Sequence, residues 1–176
     1  MVAASILPVS IYKNKLYFLF GKENPMEDSA KGWSDFGGRC DKGETLYQTA
    51  LREGSEELTG FLGNNKELSN TIKQNGGTFK ITHNDYHIHL FFLPYDENLP
   101  KYYNYNHKFL WEKMDKRLLN KTKLFEKIEI QWFSIDDIVK QRGKFRNFYQ
   151  EITDIFIRNK QDIQDFIKLK YKKHNK

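Results

Sequence analysis

Three glutamates, Glu53, Glu56 and Glu57, stand at i, i+3 and i+4 inside a segment whose apolar residues repeat with a helical period. No other feature constrains the chain as much. Tyr47, Leu51, Gly54 and Leu58 fall at i, i+4, i+7 and i+11, one face of a helix. Thr45 can cap that helix, and Gln48 three residues later completes a capping-box pattern. Gly60 or Gly63 can end it. The glutamates then share a second face, turned away from the apolar stripe. Like charges at this spacing destabilise a helix by roughly 0.2–0.5 kcal/mol per pair. The helix offers them one cation, Arg52. Something outside the helix should neutralise the cluster, and hard oxygen ligands at this density suit Mg²⁺ or Mn²⁺. For any single glutamate a solvated helix face is the simpler reading; for the whole spacing it is not.

The preceding glycines point the same way. Gly37-Gly38 and Gly43 let the loop before the helix turn tightly and allow close backbone approach. Gly54 occupies the apolar face where an aliphatic residue is expected, which close packing of the helix on a sheet would explain.

Around this segment, residues 5–11 and 16–20 read as a β-hairpin about Lys13-Asn14-Lys15. Residues 23–32 read as a loop, and Trp33 to Phe36 as a short strand ending in Gly37-Gly38. Residues 78–83 and 86–95 form a second hairpin about Asn84-Asp85. Residues 98–127 are Tyr-rich and then helical in period through Phe109, Leu110, Met114 and Leu118, an inserted excursion. Ile128 to Ser134 is a strand, Asp136 or Asp137 opens a short helix, and Asn147 to Lys170 is one long amphipathic helix. Hairpins mixed with helices predict an α+β chain with a mixed sheet rather than a doubly wound one.

Over its 176 residues the chain carries a net charge of +6, with Lys168, Lys170, Lys172, Lys173 and Lys176 in a basic tail and further lysines from Lys113 to Lys127. Such a balance favours polyanionic partners, although a lysine-rich surface alone accounts for the tail. One cysteine, Cys40, excludes an intramolecular disulfide and a thiolate zinc cluster. No stretch approaches the roughly 20 apolar residues that span a bilayer. The start MVAASILPVSIYKNK lacks the basic, then apolar, layout of a secretory signal. One soluble, cytoplasmic domain over residues 1–176 is expected, with no membrane partner.

The segment from Gly38 to Phe61 resembles the Nudix box, G-x5-E-x7-R-E-U-x-E-E-x-G-U with U aliphatic. Gly38, Glu44, Arg52, Glu53, Glu56 and Glu57 fall in register. Gly54 stands in place of the aliphatic residue, and Thr59 where glycine is expected, with Gly60-Phe61 one residue late. The resemblance implies an α/β/α sandwich with a mixed sheet. It implies that Glu53, Glu56 and Glu57 hold Mg²⁺ or Mn²⁺ with help from the Gly38 carbonyl, and that Glu44 and Arg52 pair to hold the loop on the helix. The implied reaction is hydrolysis of a phosphoanhydride bond in a nucleoside diphosphate-linked substrate. Family members often recruit a further carboxylate from outside the box, and Glu129 and Glu126 are candidates.

Other residues are weaker. Arg39 is a candidate phosphate contact, and Tyr103 and Tyr105, among Lys101, His107 and Lys108, are candidate substrate contacts. Trp111 reads as packing for the insertion. His87 and His89 alternate on one strand face, and with His83 they read as a polar sheet face rather than a metal site. Asp35 flanks the glycine turn, and Cys40 has no base beside it. Basic charge and the Tyr/Lys-rich insertion favour capped RNA as substrate. Free or oxidised nucleotides, dinucleoside polyphosphates and inositol polyphosphates are the alternatives. A non-catalytic nucleotide- or RNA-binding module is the rival of another class.

Overall fold

The computed structural model describes residues 2–24, 31–121 and 125–174. Residues 25–30 of the expected loop, 122–124 of the expected insertion and Lys176 of the basic tail lie outside the described residues.

β1 (Ala3–Tyr12) and β2 (Lys15–Glu23) form the first expected hairpin. Lys13 and Asn14 turn it with φ of 47° and 61°, the two positive values a tight hairpin turn requires. The expected strand 33–36 is instead two strands, β3 (Trp33–Ser34) and β4 (Phe36–Arg39), with Gly37 and Gly38 inside the second. β3 pairs with β2 and β4 with β1, so the chain changes neighbours at Asp35. The buried Asp35 carboxylate fixes that switch, accepting hydrogen bonds from Ser5 Oγ and Tyr86 Oη, each at 2.6 Å.

Helix α1 (Leu46–Glu57) follows, then α2 (Asn65–Gln74). α2 is absent from the expected elements; its start is marked by an Asn64/Glu67 capping box. β5 (Thr78–His83) and β6 (Tyr86–Phe92) make the second hairpin. The insertion is α3 (Asn98–Lys113) and α4 (Lys116–Lys121). Its buried face differs from the expected one: Tyr103 and His107 are covered, while Phe109 and Leu118 are more than half exposed. α3 lies against β7 (Lys127–Ser134), so its inward stripe is set by that strand rather than by its most apolar residues. Ser134 rather than an aspartate caps α5 (Ile135–Lys140). The long C-terminal helix is two, α6 (Asn147–Arg158) and α7 (Lys160–His174). At the joint, the Asn159 side-chain amide donates to the Ile155 carbonyl at 2.8 Å, competing with the helix ladder.

β1 runs parallel to β6 along one edge and antiparallel to β4 and then β2 along the other, and β7 pairs with β2. Seven strands among the described residues therefore make one mixed sheet. Both faces are covered. Ala4, Ile6, Leu19, Phe91 and Trp132 pack under α1, α2 and α3. Val9, Phe18, Phe20, Leu90 and Phe133 pack under α5, α6 and α7. Double coverage explains why β1 reads as a near-continuous apolar run. The expected sandwich is what forms.

Among the described residues β7 has a strand partner on one side only, β2. On its other side Asn104 of α3 acts as a one-residue strand. Its Oδ1 accepts from Ile130 N at 2.8 Å, and its Nδ2 donates to Ile130 O at 3.1 Å. Among the described residues no helix is long and apolar enough to cross a membrane.

Candidate active site

The capping box at the start of α1 forms as its sequence predicts. Gln48 N donates to Thr45 Oγ1 at 3.2 Å, and Thr45 N donates to Gln48 Oε1 at 2.8 Å. Contacts too close for a side chain then set the height of the helix above the sheet. A Cβ on Gly54 would fall 2.3 Å from Ile6 Cδ1, and one on Gly37 would fall 2.2 Å from Ser5 Cβ. A Cβ on Gly38 would fall 2.5 Å from the Glu53 carboxylate carbon. Gly54 therefore answers to close helix–sheet packing. Gly37 and Gly38 serve close approach inside a strand, and of the three glycines that precede the helix only Gly43, with φ of 90°, serves the turn.

The far end of α1 stops at Leu58, earlier than Gly60 or Gly63, because Thr59 already leaves the helical conformation with φ of 49°. The position where glycine is expected thus keeps a glycine-like backbone. A β-branched residue held there is strained, by about 1–3 kcal/mol. Thr59→Gly is expected to raise the free energy of chemical unfolding by about 1 kcal/mol. An unchanged midpoint would mean the turn stores no strain.

Arg52 ties the loop to the helix. Its Nε and Nη2 donate to the two oxygens of Glu44 at 2.8 and 3.0 Å, and Nη2 also donates to the Arg39 carbonyl at 3.1 Å. Glu44 accepts a further bond from Thr49 Oγ1 at 2.7 Å. These donors, Arg52 first and Thr49 second, hold the Glu44 carboxyl at about 2 against an ordinary 4.5. A carboxyl depressed on folding stabilises above its unfolded value, and that stabilisation is lost as pH falls through the folded one. The unfolding midpoint should therefore decline between about pH 4.5 and 2, with Glu44→Gln flattening the decline over that window. An identical pH profile in the variant would remove Glu44 from this role.

The remaining guanidinium nitrogen faces the acidic cluster. Nη1 lies 2.8 Å from Glu53 Oε1 and 3.5 Å from Glu56 Oε2. Glu53 is mostly covered by β4, whereas the Glu56 side chain is 60% exposed. Glu57 is different. It is buried, its Oε2 accepts from Gly37 N at 2.8 Å, and its Oε1 lies 3.5 Å from Lys127 Nζ. Lys127 is itself only 1% exposed and also contacts Glu23 and Ser34 Oγ. Burial pulls the ammonium down, but Glu57 and Glu23 outweigh it and keep it charged. Burial pushes the Glu57 carboxyl up, with Lys127 opposing. Arg146 donates to Glu23 at 2.9 Å and completes the network.

The other expected site residues scatter. Glu129 pairs with Lys22 at 3.3 Å, and Lys22 lies over Trp33, a residue of the opposite core layer; Glu129 is thus turned away from α1. Glu126 is the candidate whose charge acts on Glu57. Arg39 is exposed at the end of β4. Tyr103 is fully buried, its hydroxyl 2.8 Å from the Glu57 carbonyl and 3.1 Å from that of Lys127, so it packs α3 and is out of reach as a substrate contact. Tyr105 is exposed. His89 is buried rather than on a polar face. Burial first, then Lys80 and His87, lowers it to about 4, so it is neutral at physiological pH.

The NUDIX domain family model matches residues 2–155. The chain belongs to the Nudix hydrolase family. No curated protein matches it by sequence. Among solved structures it resembles a C. elegans Ap4A hydrolase binary complex, at 15% identity over 92% of this chain and 97% of that one, with a TM-score of 0.52. A mutT/nudix family protein from Listeria innocua aligns at 14% identity over 96% of each chain, with a TM-score of 0.51. A bifunctional NMN adenylyltransferase/ADP ribose pyrophosphatase from Francisella tularensis, complexed with AMP and Mn ion, aligns at 16% identity. That match covers 90% of this chain and 41% of the other, with a TM-score of 0.51. At these identities the likeness is one of fold.

Among the described residues no three His, Cys, Asp or Glu side chains already converge on a metal position. The Nudix box nevertheless has a donor set that suits a hard divalent cation. Glu53 and Glu56 both reach one cationic nitrogen, and Gly38 leaves a cradle against the Glu53 carboxylate that a Cβ would fill. Glu57, by contrast, is already bonded through both oxygens. Lys127 and Glu23 are the residues sequence reasoning missed. Glu23 fell in the expected loop and Lys127 at the end of the expected insertion, so no local pattern marked either as part of a buried network with α1.

Proposed function

We propose that this Nudix hydrolase uses Mg²⁺ or Mn²⁺ to hydrolyse a phosphoanhydride bond in a nucleoside diphosphate-linked substrate. The observation that carries the reading is the Arg52 clamp. One guanidinium holds Glu44 and the Arg39 carbonyl on one side and presents Glu53 and Glu56 on the other, beside the Gly38 cradle. In this reading Glu53, Glu56 and the Gly38 carbonyl hold the cation, and Glu126, whose charge acts on the neighbouring Glu57, would be the additional carboxylate. A bound divalent ion would polarise phosphate oxygens and lower the pKa of a coordinated water. In the same reading Arg52 and Glu44 keep the two glutamates oriented, and Arg39, exposed beside the clamp, would meet a phosphate.

Two structural neighbours, an Ap4A hydrolase and a bifunctional enzyme with ADP ribose pyrophosphatase activity, fit such a substrate. A capped RNA is the second reading, favoured by α3. Tyr102, Tyr105 and Phe109 are exposed at i, i+3 and i+7, one helix face, with Lys101 and Lys108 alongside. Turnover of dinucleoside polyphosphates, ADP-ribose, oxidised nucleoside triphosphates and capped RNA, with Mg²⁺, Mn²⁺ or EDTA, tests both. Products formed in ¹⁸O-water identify the attacked phosphorus. Affinity for capped RNA that drops steeply with salt would favour the RNA reading. No metal-dependent turnover of any phosphoanhydride would overturn the proposal.

A further inference from the structure

Between α3 and the start of β7 lies a cavity of about 270 Å³, lined by Asn24, His107, Lys108, Trp111, Phe125 and Ile128. Its walls are mainly rings. Trp111 and His107 each stand nearly perpendicular to Phe125, at 85° and 89°, with centroids 6.1 and 5.1 Å away. Lys116 holds its ammonium 4.7 Å from the Trp111 ring. The cavity adjoins the end of the box through two contacts. The His107 ring stacks on Tyr103 at 3.7 Å, and the Tyr103 hydroxyl reaches the Glu57 carbonyl. His107 Nε2 lies 3.5 Å from Thr59 Oγ1, two residues beyond Glu57.

The polar groups are few and oriented. His107 Nδ1 is 2.8 Å from the Tyr103 carbonyl, which can only accept, so the proton sits on Nδ1 and Nε2 is an acceptor. Lys108 supplies a positive charge among the lining residues. A cavity with three rings in its lining and one cation suits a flat heterocycle that carries an anion.

We propose that this cavity binds the base of a nucleoside phosphate, stacked on Trp111, with Lys108 toward its phosphate. The link to turnover rests on the hydrolase reading above, whereas binding itself does not. Calorimetric titration with AMP, GMP and ribose 5-phosphate in EDTA separates base from phosphate. AMP or GMP should bind about tenfold or more tightly than ribose 5-phosphate, the size of a stacked base's contribution. Trp111→Ala should erase that margin and leave ribose 5-phosphate binding unchanged, and Trp111→Phe should retain most of it. Thermal unfolding of both variants identifies a misfolded protein, in which case Trp111→Phe and Lys108→Ala carry the test, the latter weakening all three ligands. Equal binding of AMP, GMP and ribose 5-phosphate, or a margin that survives Trp111→Ala, would overturn the proposal. Base binding that needs Trp111 in a chain without turnover would leave the cavity assignment standing and remove the hydrolase reading. Turnover with an unchanged KM in Trp111→Ala would do the reverse.

Discussion

Lys127→Met is expected to destabilise the fold by about 3–5 kcal/mol at neutral pH, the usual result of removing one partner from a buried ion pair. Lys127 is 1% exposed and touches Glu23, Ser34 and Glu57 at once. Methionine fills similar space but leaves two buried carboxylates to share what remains. Among the described residues Glu23 keeps Arg146 and Ser34 as donors, and Glu57 keeps the Gly37 N–H alone. Glu57 should therefore suffer most, and the loss should be coupled to it. Adding Glu57→Gln to Lys127→Met should recover a substantial part of the lost stability, since the amide needs no counter-charge. Urea unfolding of the two single variants and the double variant reads the coupling. A loss below about 1 kcal/mol for Lys127→Met, the range of surface pairs, would mean the ammonium is solvated after all.

Glu56→Gln is expected to lower metal-dependent turnover by roughly 10²–10⁴-fold while leaving stability within about 0.5 kcal/mol, as for a surface substitution. The asymmetry follows from where the side chain sits. Its contact to Arg52 is long, 3.5 Å, and the side chain is 60% exposed, so the fold gains little from it. A hard cation held between Glu53 and Glu56 loses one of these two carboxylates when Glu56 becomes an amide. The readouts are kcat with Mg²⁺, Mn²⁺ affinity by paramagnetic titration and the urea midpoint. Full activity in Glu56→Gln would end the assignment of this carboxylate. Lost activity with Mn²⁺ affinity intact would move its role from holding metal to acting on water.

Much of this arrangement was legible because it is local. The Thr45/Gln48 cap, the Lys13-Asn14 turn and the Glu44–Arg52 pair depend on neighbours within about ten residues; the first two form as their spacing predicts and the third as the Nudix-box resemblance implies. The Asn64/Glu67 box that starts α2 was equally local, but its helix has only Leu68 and Ile72 buried, too few for a visible stripe. What the sequence hid is long-range. Glu57 looks like its two neighbouring glutamates on a helical wheel, yet it meets Lys127, seventy residues on, and a strand amide. Tyr103 looks like Tyr102 and Tyr105, yet it alone turns inward, because β7 lies on that side. Composition could not tell these residues apart; the partner strand does. Glu129 and Glu126 make the same point, since the pairing of β2 with β7 sends Glu129 to the other layer.

The single amide by which Asn104 occupies the open border of β7 has a consequence for how such a chain can diversify. An unpaired border invites another molecule to add a strand, and a helix that plugs it with one side chain removes that hazard cheaply. The rest of α3 is then released from sealing duty. Residues one or two turns further along, which wall the ring-lined cavity, are free to change with the ligand while the seal persists. Trading Asn104 for an aliphatic residue would reverse the bargain, and self-association of an otherwise folded protein would be its signature.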